Sequence, residues 1–228
     1  MNFITKNFLK ENLDKLDNGI DKFIVAGIFY GLNSSDYREQ LLNIKTSSVN
    51  FEESTLTLPN GRVVVMDDLL KEVVREAVEQ KIYVKMGSLG GTNEDYELNP
   101  NSEYIIKSKP TSSNEMGIKP LSNAGFKSRM RTISTFLVGD TSLTPSLLKK
   151  SGALEYLKTL DKNLTIRMVE KKLKDRGYNL RRNTVVEMIQ ELKKEDNEKW
   201  SLGLENLILS RALNLGQLAE LKGLLRNL

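Results

Sequence analysis

Apolar residues in the first third of the chain recur at the spacing of a helix. Within residues 5–16, leucines lie three or four positions apart and so share one helix face, and Thr5 has a side chain suited to capping the first turn. The largely apolar stretch 19–32 is typical of a core helix, and a third helix is predicted over 35–44.

The pattern then changes to the β-prone residues of a hairpin. Residues 54–58 and 62–66 are rich in Thr, Leu and Val, and Asn60-Gly61 between them is a favoured pair for a two-residue hairpin turn. A third strand is predicted over 82–85. The fold class predicted is α+β, mainly helical, with one small antiparallel sheet made of this hairpin and the third strand.

Helical patterns dominate the remainder of the chain after a loop-rich stretch at 86–120, in which 103–107 is the only predicted strand. Caps such as Thr144 before Pro145 support the helix starts. The predicted helices cover 67–80, 122–138, a segment starting at Thr144-Pro145, 153–160, 166–175, 183–194, 202–213 and 215–228.

The chain contains no cysteine and no histidine. Disulfides, thiol nucleophiles, Cys-based zinc sites and Ser-His-Asp hydrolases are therefore excluded. No cluster of carboxylates suggests a magnesium site, so neither a metal nor a cofactor is predicted.

The net charge of +4 is distributed unevenly. Residues 107–182 contain 17 basic and 6 acidic side chains, a net of +11, whereas residues 1–106 carry a net of −6. A block of this kind is typical of a surface that binds a polyanion, although a solvated lysine-rich face is the alternative.

No apolar run reaches the ~20 residues that a membrane helix needs. The first residues also lack the basic, apolar and small-residue order of a signal peptide. We therefore expect a cytoplasmic protein that does not insert into a membrane.

Five short stretches follow one another in a fixed order along the chain. They are Ile4-Thr5-Lys6-Asn7, Gly31-Leu32-Asn33 with Gln40-Leu41-Leu42-Asn43-Ile44, Val49-Asn50-Phe51 leading into the hairpin, Leu143 to Lys150, and Gly177 to Thr184. Together they resemble the catalytic domain of tyrosine recombinases, the phage integrase family. The resemblance covers roughly residues 4–190, and the order of predicted elements agrees with it.

The resemblance implies a catalytic set that this chain lacks. In the family, two arginines and a hairpin lysine neutralise the scissile phosphate, two further residues position it and move protons, and a tyrosine attacks phosphorus. We therefore predict no catalytic residue and no enzymatic activity. The residues found at these degenerate positions are Asn33 or Arg38 for the first arginine, Asn60 and Arg62 in the hairpin, Ser146, Lys149 and Lys150 in the His-x-x-Arg-His stretch, Tyr178 at the later His or Trp, and Glu187 or Met188 at the nucleophile.

What the resemblance leaves intact is a basic channel for double-stranded DNA, which the block at 107–182 would line. Lys149 supplies a point charge where the family has an arginine fork. For each candidate, the alternative is a solvated surface charge. The candidate DNA-binding residues are Lys107, Lys109, Lys127, Arg129, Arg131, Lys149, Lys150, Arg181 and Arg182.

The domain organisation follows from the same resemblance. Residues 1–200 are expected to form one recombinase-like DNA-binding domain, and 201–228 a leucine-rich helical segment. Because family members usually carry an N-terminal core-binding domain, we expect this chain to be part of a longer protein. The C-terminal helices dock either on a neighbouring protomer, giving a homo-oligomer, or within the chain as a helical hairpin.

Three functions are consistent with the sequence. The first is a sequence-specific DNA-binding regulator in the bacterial nucleoid, which resembles the integrase-like master repressors of SPbeta-type phages. The second is an active but atypical recombinase, with Tyr178 as a displaced nucleophile. The third is a protein-interaction module that modulates an integrase or a repressor.

Overall fold

The computed structural model describes residues 3–32, 40–85, 94–110, 117–161 and 163–195. Within these ranges the chain is mainly helical with small antiparallel sheets, which confirms the predicted fold class. The helices are α1 (Lys6–Leu13), α2 (Gly19–Phe29), α3 (Asp68–Glu79), α4 (Asn123–Val138), α5 (Pro145–Lys158), α6 (Ile166–Arg176) and α7 (Arg182–Glu195).

The strands form two separate sheets. Strands β1 (Val49–Asn50), β2 (Thr55–Thr57) and β3 (Val63–Val65) make an antiparallel sheet in that order. Strand β4 (Ile82–Tyr83) pairs with β5 (Tyr96–Glu97). The strand predicted at 82–85 therefore forms, but its partner is β5, and β1 is the third strand of the hairpin sheet.

The hairpin turn differs from the two-residue turn that the sequence predicts. The amide of Leu58 donates to the carbonyl of Arg62 at 2.9 Å, so three residues form the loop. The amide of Gly61 donates to the carbonyl of Leu58 at 2.8 Å, and Gly61 has a φ of +82°. Pro59, with its fixed φ, suits the second position of a type I turn, after which the glycine takes the left-handed conformation.

The first two helices are confirmed, with earlier ends than predicted. The Thr5 hydroxyl accepts the amide of Phe8 at 3.1 Å and caps α1 as predicted. Helix α2 ends at Phe29 because Gly31, with a φ of +70°, reverses the chain. The amides of Gly31 and Leu32 donate to the carbonyls of Ile28 and Gly27, the bonding pattern of a glycine C-cap.

Two further predictions need correction. The described part of the helix predicted over 35–44 is a 3₁₀ turn at Leu41–Asn43, and residues 33–39 lie outside the described residues. At 103–107 the structure has one bridge, between Tyr104 and Lys45, in place of a strand.

Helix α5 combines two helices that the sequence analysis separates. Thr144 caps it as predicted, accepting the amide of Leu147 at 3.1 Å. It then continues past Gly152 to Lys158. A Cβ atom on Gly152 would lie 1.7 Å from the carbonyl oxygen of Phe29, so this glycine permits close packing of α5 against the end of α2 and does not break the helix.

The chain divides into two units, one within 1–155 and 176–179 and the other within 156–175 and 180–228. In the first unit α2 is buried on nearly all sides, and α3 packs on it with an amphipathic face. In the second unit, the buried apolar residues of α6 and α7 recur at helical spacing. The predicted segment 201–228 lies outside the described residues. Within the described ranges, every helix falls short of the length and apolarity required to cross a bilayer.

Candidate functional site

The segment Arg176–Asn179 belongs to the first unit and is held there by close backbone contacts. Gly177 has a φ of +104°, and a Cβ on it would lie 2.0 Å from the carbonyl oxygen of Gly31. Only glycine fits this position, because the backbone conformation and the neighbouring carbonyl both exclude a side chain. The segment is thereby fixed against the end of α2.

Arg62 at the end of the hairpin loop ties this segment in place. Its guanidinium donates through Nη1 to the carbonyl oxygen of Arg176 at 2.6 Å and through Nη2 to the carbonyl oxygen of Gly31. Burial, reinforced by the neighbouring Arg176 charge, lowers the pKa of Arg62, which stays charged at neutral pH. The cation that follows the hairpin turn therefore bonds to main-chain oxygens.

Tyr178 lies inside the first unit, with 3% of its surface exposed. Its hydroxyl donates to the carbonyl oxygen of Phe29 at 2.6 Å. This carbonyl lies at the C-terminal end of α2, where the last helix carbonyls lack donors from their own helix. The phenol thus satisfies a helix end, and the oxygen that a nucleophile would present is turned to the backbone.

Lys149 of α5 reaches the same segment from another side. Its ammonium donates to the carbonyl oxygen of Asn179 at 3.0 Å, and burial lowers its pKa. Ser146, one turn earlier, is exposed. The residue in place of the family's arginine therefore contacts the chain itself.

The structure brings together three of the degenerate positions, Arg62, Lys149 and Tyr178, around the segment Arg176–Asn179. We call these three residues and this segment the junction. Asn60 stays in the exposed hairpin loop, where its Oδ1 accepts the amide of Arg62 at 3.1 Å. Of the remaining positions, Asn33 and Arg38 lie outside the described residues, and Glu187 is exposed on α7 in the second unit.

Lys107, a predicted DNA-binding residue, has an internal role. Its ammonium donates to the carbonyl oxygens of Val78 at 3.0 Å and Gln80 at 2.9 Å, at the C-terminal end of α3. The residue is 7% exposed, and burial lowers its pKa. The prediction is corrected, because a cation that caps a helix from inside is not available to a phosphate.

Arg129, the second correction, lies on the inner face of α4. Its Nε is 3.5 Å from Oδ1 of Asp21, and its guanidinium lies 4.6 Å from the ring centroid of Tyr83. Its Nη2 also bonds to the hydroxyl of Tyr96 at 3.3 Å. Its side chain is 9% exposed, so this arginine balances an internal carboxylate and does not face solvent.

Sequence reasoning missed Asp21, the partner of Arg129. It is fully buried in α2, and the Tyr83 hydroxyl donates to its Oδ2 at 2.7 Å. Burial raises the pKa of Asp21, and the Arg129 charge opposes that rise. A signal was present in the sequence, because a single carboxylate inside an apolar helix requires an internal partner.

The other candidate DNA-binding residues keep their side chains at least partly exposed. On α4, Lys127 and Arg131 lie one turn apart on the outer face, and Lys109 lies 5.1 Å from the ring centroid of Tyr96. In the second unit, Arg182 pairs with Glu170 at 3.1 Å. The candidates in this group are Lys109, Lys127, Arg131, Lys150, Arg181 and Arg182.

The fold is that of the catalytic domain of tyrosine recombinases. A solved crystal structure of XerA recombinase matches with a TM-score of 0.50 and 15% sequence identity. The match covers 84% of this chain and 65% of that one, so the present chain spans about two thirds of that recombinase.

The family is shown by a family model described as "MrpR, C-terminal catalytic domain", which matches residues 3–199. The chain belongs to this family. A search of curated proteins found no match.

Proposed function

We propose that this protein is a sequence-specific DNA-binding regulator, of the kind that represses phage or prophage genes, built on a recombinase fold that does not cut DNA. The observation that carries the proposal is the bonding of the junction. Arg62, Lys149 and Tyr178 all donate to main-chain carbonyls of their own chain.

Phosphoryl transfer requires donors aimed at the charge that develops on phosphate and an oxygen free to attack it. If Arg62 or Tyr178 turned toward a substrate, buried carbonyls would lose their partners. Each loss costs about 1–3 kcal/mol. The junction is thus better suited to holding the fold than to chemistry.

DNA binding is proposed on the charges that remain outside. Lys127 and Arg131 present two cations from one face of α4. Most protein–DNA hydrogen bonds go to the phosphates and sugars of the backbone, and Arg and Lys are among their main donors. Affinity would come from phosphates and register from a few base contacts, and the regulator would act by occupying its operator in the bacterial cytoplasm. Pairing of protomers through 201–228 is part of the same proposal.

The test is selection of bound duplexes from random and phage genomic DNA, followed by titration of the enriched site. We expect one enriched sequence, with an affinity that falls about a thousandfold between about 50 and 200 mM salt if some six phosphates are contacted. Failure to enrich any duplex, or an affinity independent of salt, would contradict the proposal.

A protein-interaction module would give the opposite result. It would capture a protein partner while shifting no duplex at any salt concentration. Running the capture and the titration on the same preparation separates these two functions.

A further inference from the structure

The exposed face of α6 contains a row of three cations that sequence reasoning did not single out. Arg167, Lys171 and Lys174 lie four and three residues apart, which places them within about 60° of one another around the helix axis. All three are exposed. The buried side of the same helix carries Ile166, Val169 and Leu173, so the row faces away from the apolar contacts that hold α6.

These cations are not used by the fold. None of the three makes an ion pair or a side-chain hydrogen bond with any residue in the part of the chain that the structure describes. Two acidic residues flank the row: Glu170, which is paired with Arg182 at 3.1 Å, and Asp175, which is exposed one turn beyond Lys171. With Glu170 paired elsewhere, three cations face one exposed carboxylate, so the row keeps a net positive charge.

The length of the row suits a nucleic-acid backbone. From Arg167 to Lys174 the helix rises seven times by about 1.5 Å, which gives a length of about 10 Å. One strand of duplex DNA carries a phosphate about every 3.4 Å along its axis, so this length corresponds to about three phosphate steps. Long, flexible basic side chains on such a row can each reach a different phosphate.

We propose that the exposed face of α6 binds the phosphate backbone of duplex DNA through Arg167, Lys171 and Lys174. This inference rests on the proposed function and adds a contact surface on the second unit to the candidates on α4. An acidic protein surface would satisfy the same charges, but a line of three cations fits a repeating line of phosphates better. The exposed Met168 of the same helix lies about 60° from Lys171, beside the line and not within it.

The helix provides its own matched control. Lys172 is exposed on the same helix, but it lies about 100° away from Lys171 around the axis and outside the row. Lys171→Ala and Lys172→Ala remove the same charge from adjacent positions, and alanine is favourable at exposed helix sites. Both variants should therefore fold, which circular dichroism and thermal melting can verify.

The measurement is the affinity of the full chain for the enriched duplex across a series of salt concentrations. For Lys171→Ala we expect about tenfold weaker binding at ~0.1 M salt and a salt slope smaller by about 0.9, the value of one phosphate contact. The triple variant Arg167→Ala, Lys171→Ala, Lys174→Ala should lower the slope by about 2.7. Lys172→Ala should leave both quantities close to those of the unchanged chain.

The outcomes distinguish a failure of the α6 assignment from a failure of the proposed function. Equal effects of the two single substitutions, or an unchanged slope in the triple variant, would overturn the assignment of α6 while leaving DNA binding in place. If the unchanged chain binds no duplex, the proposed function fails and the α6 surface fails with it.

Discussion

Two groups of basic residues in this chain have similar chemistry and different environments. In the first unit, Arg62 is half-buried and bonds to main-chain carbonyls, and Arg129 is almost wholly buried beside a buried carboxylate. Arg131 on α4 and Lys171 on α6 lie on exposed faces. The difference teaches that burial, more than membership of a basic block, decides whether a cation is bonded within the fold or is left available to a ligand.

On the proposed function, cations bonded in this way would let a recombinase fold lose its chemistry without losing its shape. The junction still joins the hairpin, α2, α5 and the segment Arg176–Asn179. On the same proposal, side chains that position a substrate in an active recombinase would be replaced here by side chains that hold the backbone. The donors of the junction then need no phosphate to complete their hydrogen bonding.

The largest loss of stability is expected when the buried arginine of α4 is replaced. Arg129→Met should lower the free energy of unfolding by about 3–5 kcal/mol, because it leaves the Asp21 carboxylate buried without its counter-charge. Lys127→Met, two residues away on the outer face, is the matched control and should change stability by less than about 0.5 kcal/mol. Chemical denaturation measures both, and equal losses would contradict the assigned faces.

The loss in Arg129→Met should also depend on pH. Burial raises the pKa of Asp21, and removing Arg129 removes the charge that opposes this rise. A carboxyl whose pKa is higher in the folded state binds more protons folded than unfolded, so its contribution to stability falls as pH rises from its ordinary value through the raised one. The deficit of the variant should therefore be smaller in acidic than in neutral solution, and a pH-independent deficit would contradict this origin.

Close packing of α5 on α2 gives the next effect. Gly152→Ala should destabilise the chain by about 3 kcal/mol or more, since the added methyl would collide with the carbonyl of Phe29. Gly125→Ala on α4 is the control, because its methyl would meet the flexible end of Leu121 and alanine favours the helix. Thermal melting of the two variants should differ clearly, and a neutral Gly152→Ala would refute the close approach.

A smaller effect is expected at the junction. Tyr178→Phe should cost about 1–3 kcal/mol of stability, because it leaves the carbonyl of Phe29 without its donor. Its affinity for the selected duplex should match that of the unchanged chain once both are folded. Loss of DNA binding at full stability would give the hydroxyl a role at the ligand instead.

The smallest effect belongs to a single exposed cation. Arg131→Ala should weaken DNA binding by about tenfold at ~0.1 M salt and leave the melting temperature unchanged. Lys10→Ala on the exposed side of α1 removes one charge outside the proposed surfaces and serves as the control. Equal losses in the two variants would show that only total charge matters.

Sequence reasoning succeeds where local chemistry dominates. The caps at Thr5 and Thr144 follow from side chains that bond to nearby amides of the first helical turn, and the hairpin follows from β-prone residues around a turn. The resemblance assigned Arg62 and Tyr178 to degenerate active-site positions, and in the structure both bond to carbonyls at the end of α2. These are properties of short segments or of a shared chain order.

The remaining features depend on partners far away along the chain. Nothing in the two residues of β1 distinguishes a strand. The partner of β4 lies far along the chain, since Tyr83 pairs with Tyr96. From the sequence, two helices are predicted on either side of Gly152. The structure shows one helix, in which this glycine leaves room for the carbonyl of Phe29. From the sequence, Lys107 is predicted to be a surface charge. Only the structure shows that its ammonium caps the C-terminal end of α3.

The most direct test of the central claim uses a nicked duplex, carrying the selected site, that traps covalent protein–DNA intermediates. The account predicts a salt-sensitive complex with the full chain and no adduct that survives denaturing electrophoresis. A denaturant-resistant adduct that disappears in Tyr178→Phe would contradict it, because that tyrosine would then have left Phe29 to attack phosphorus.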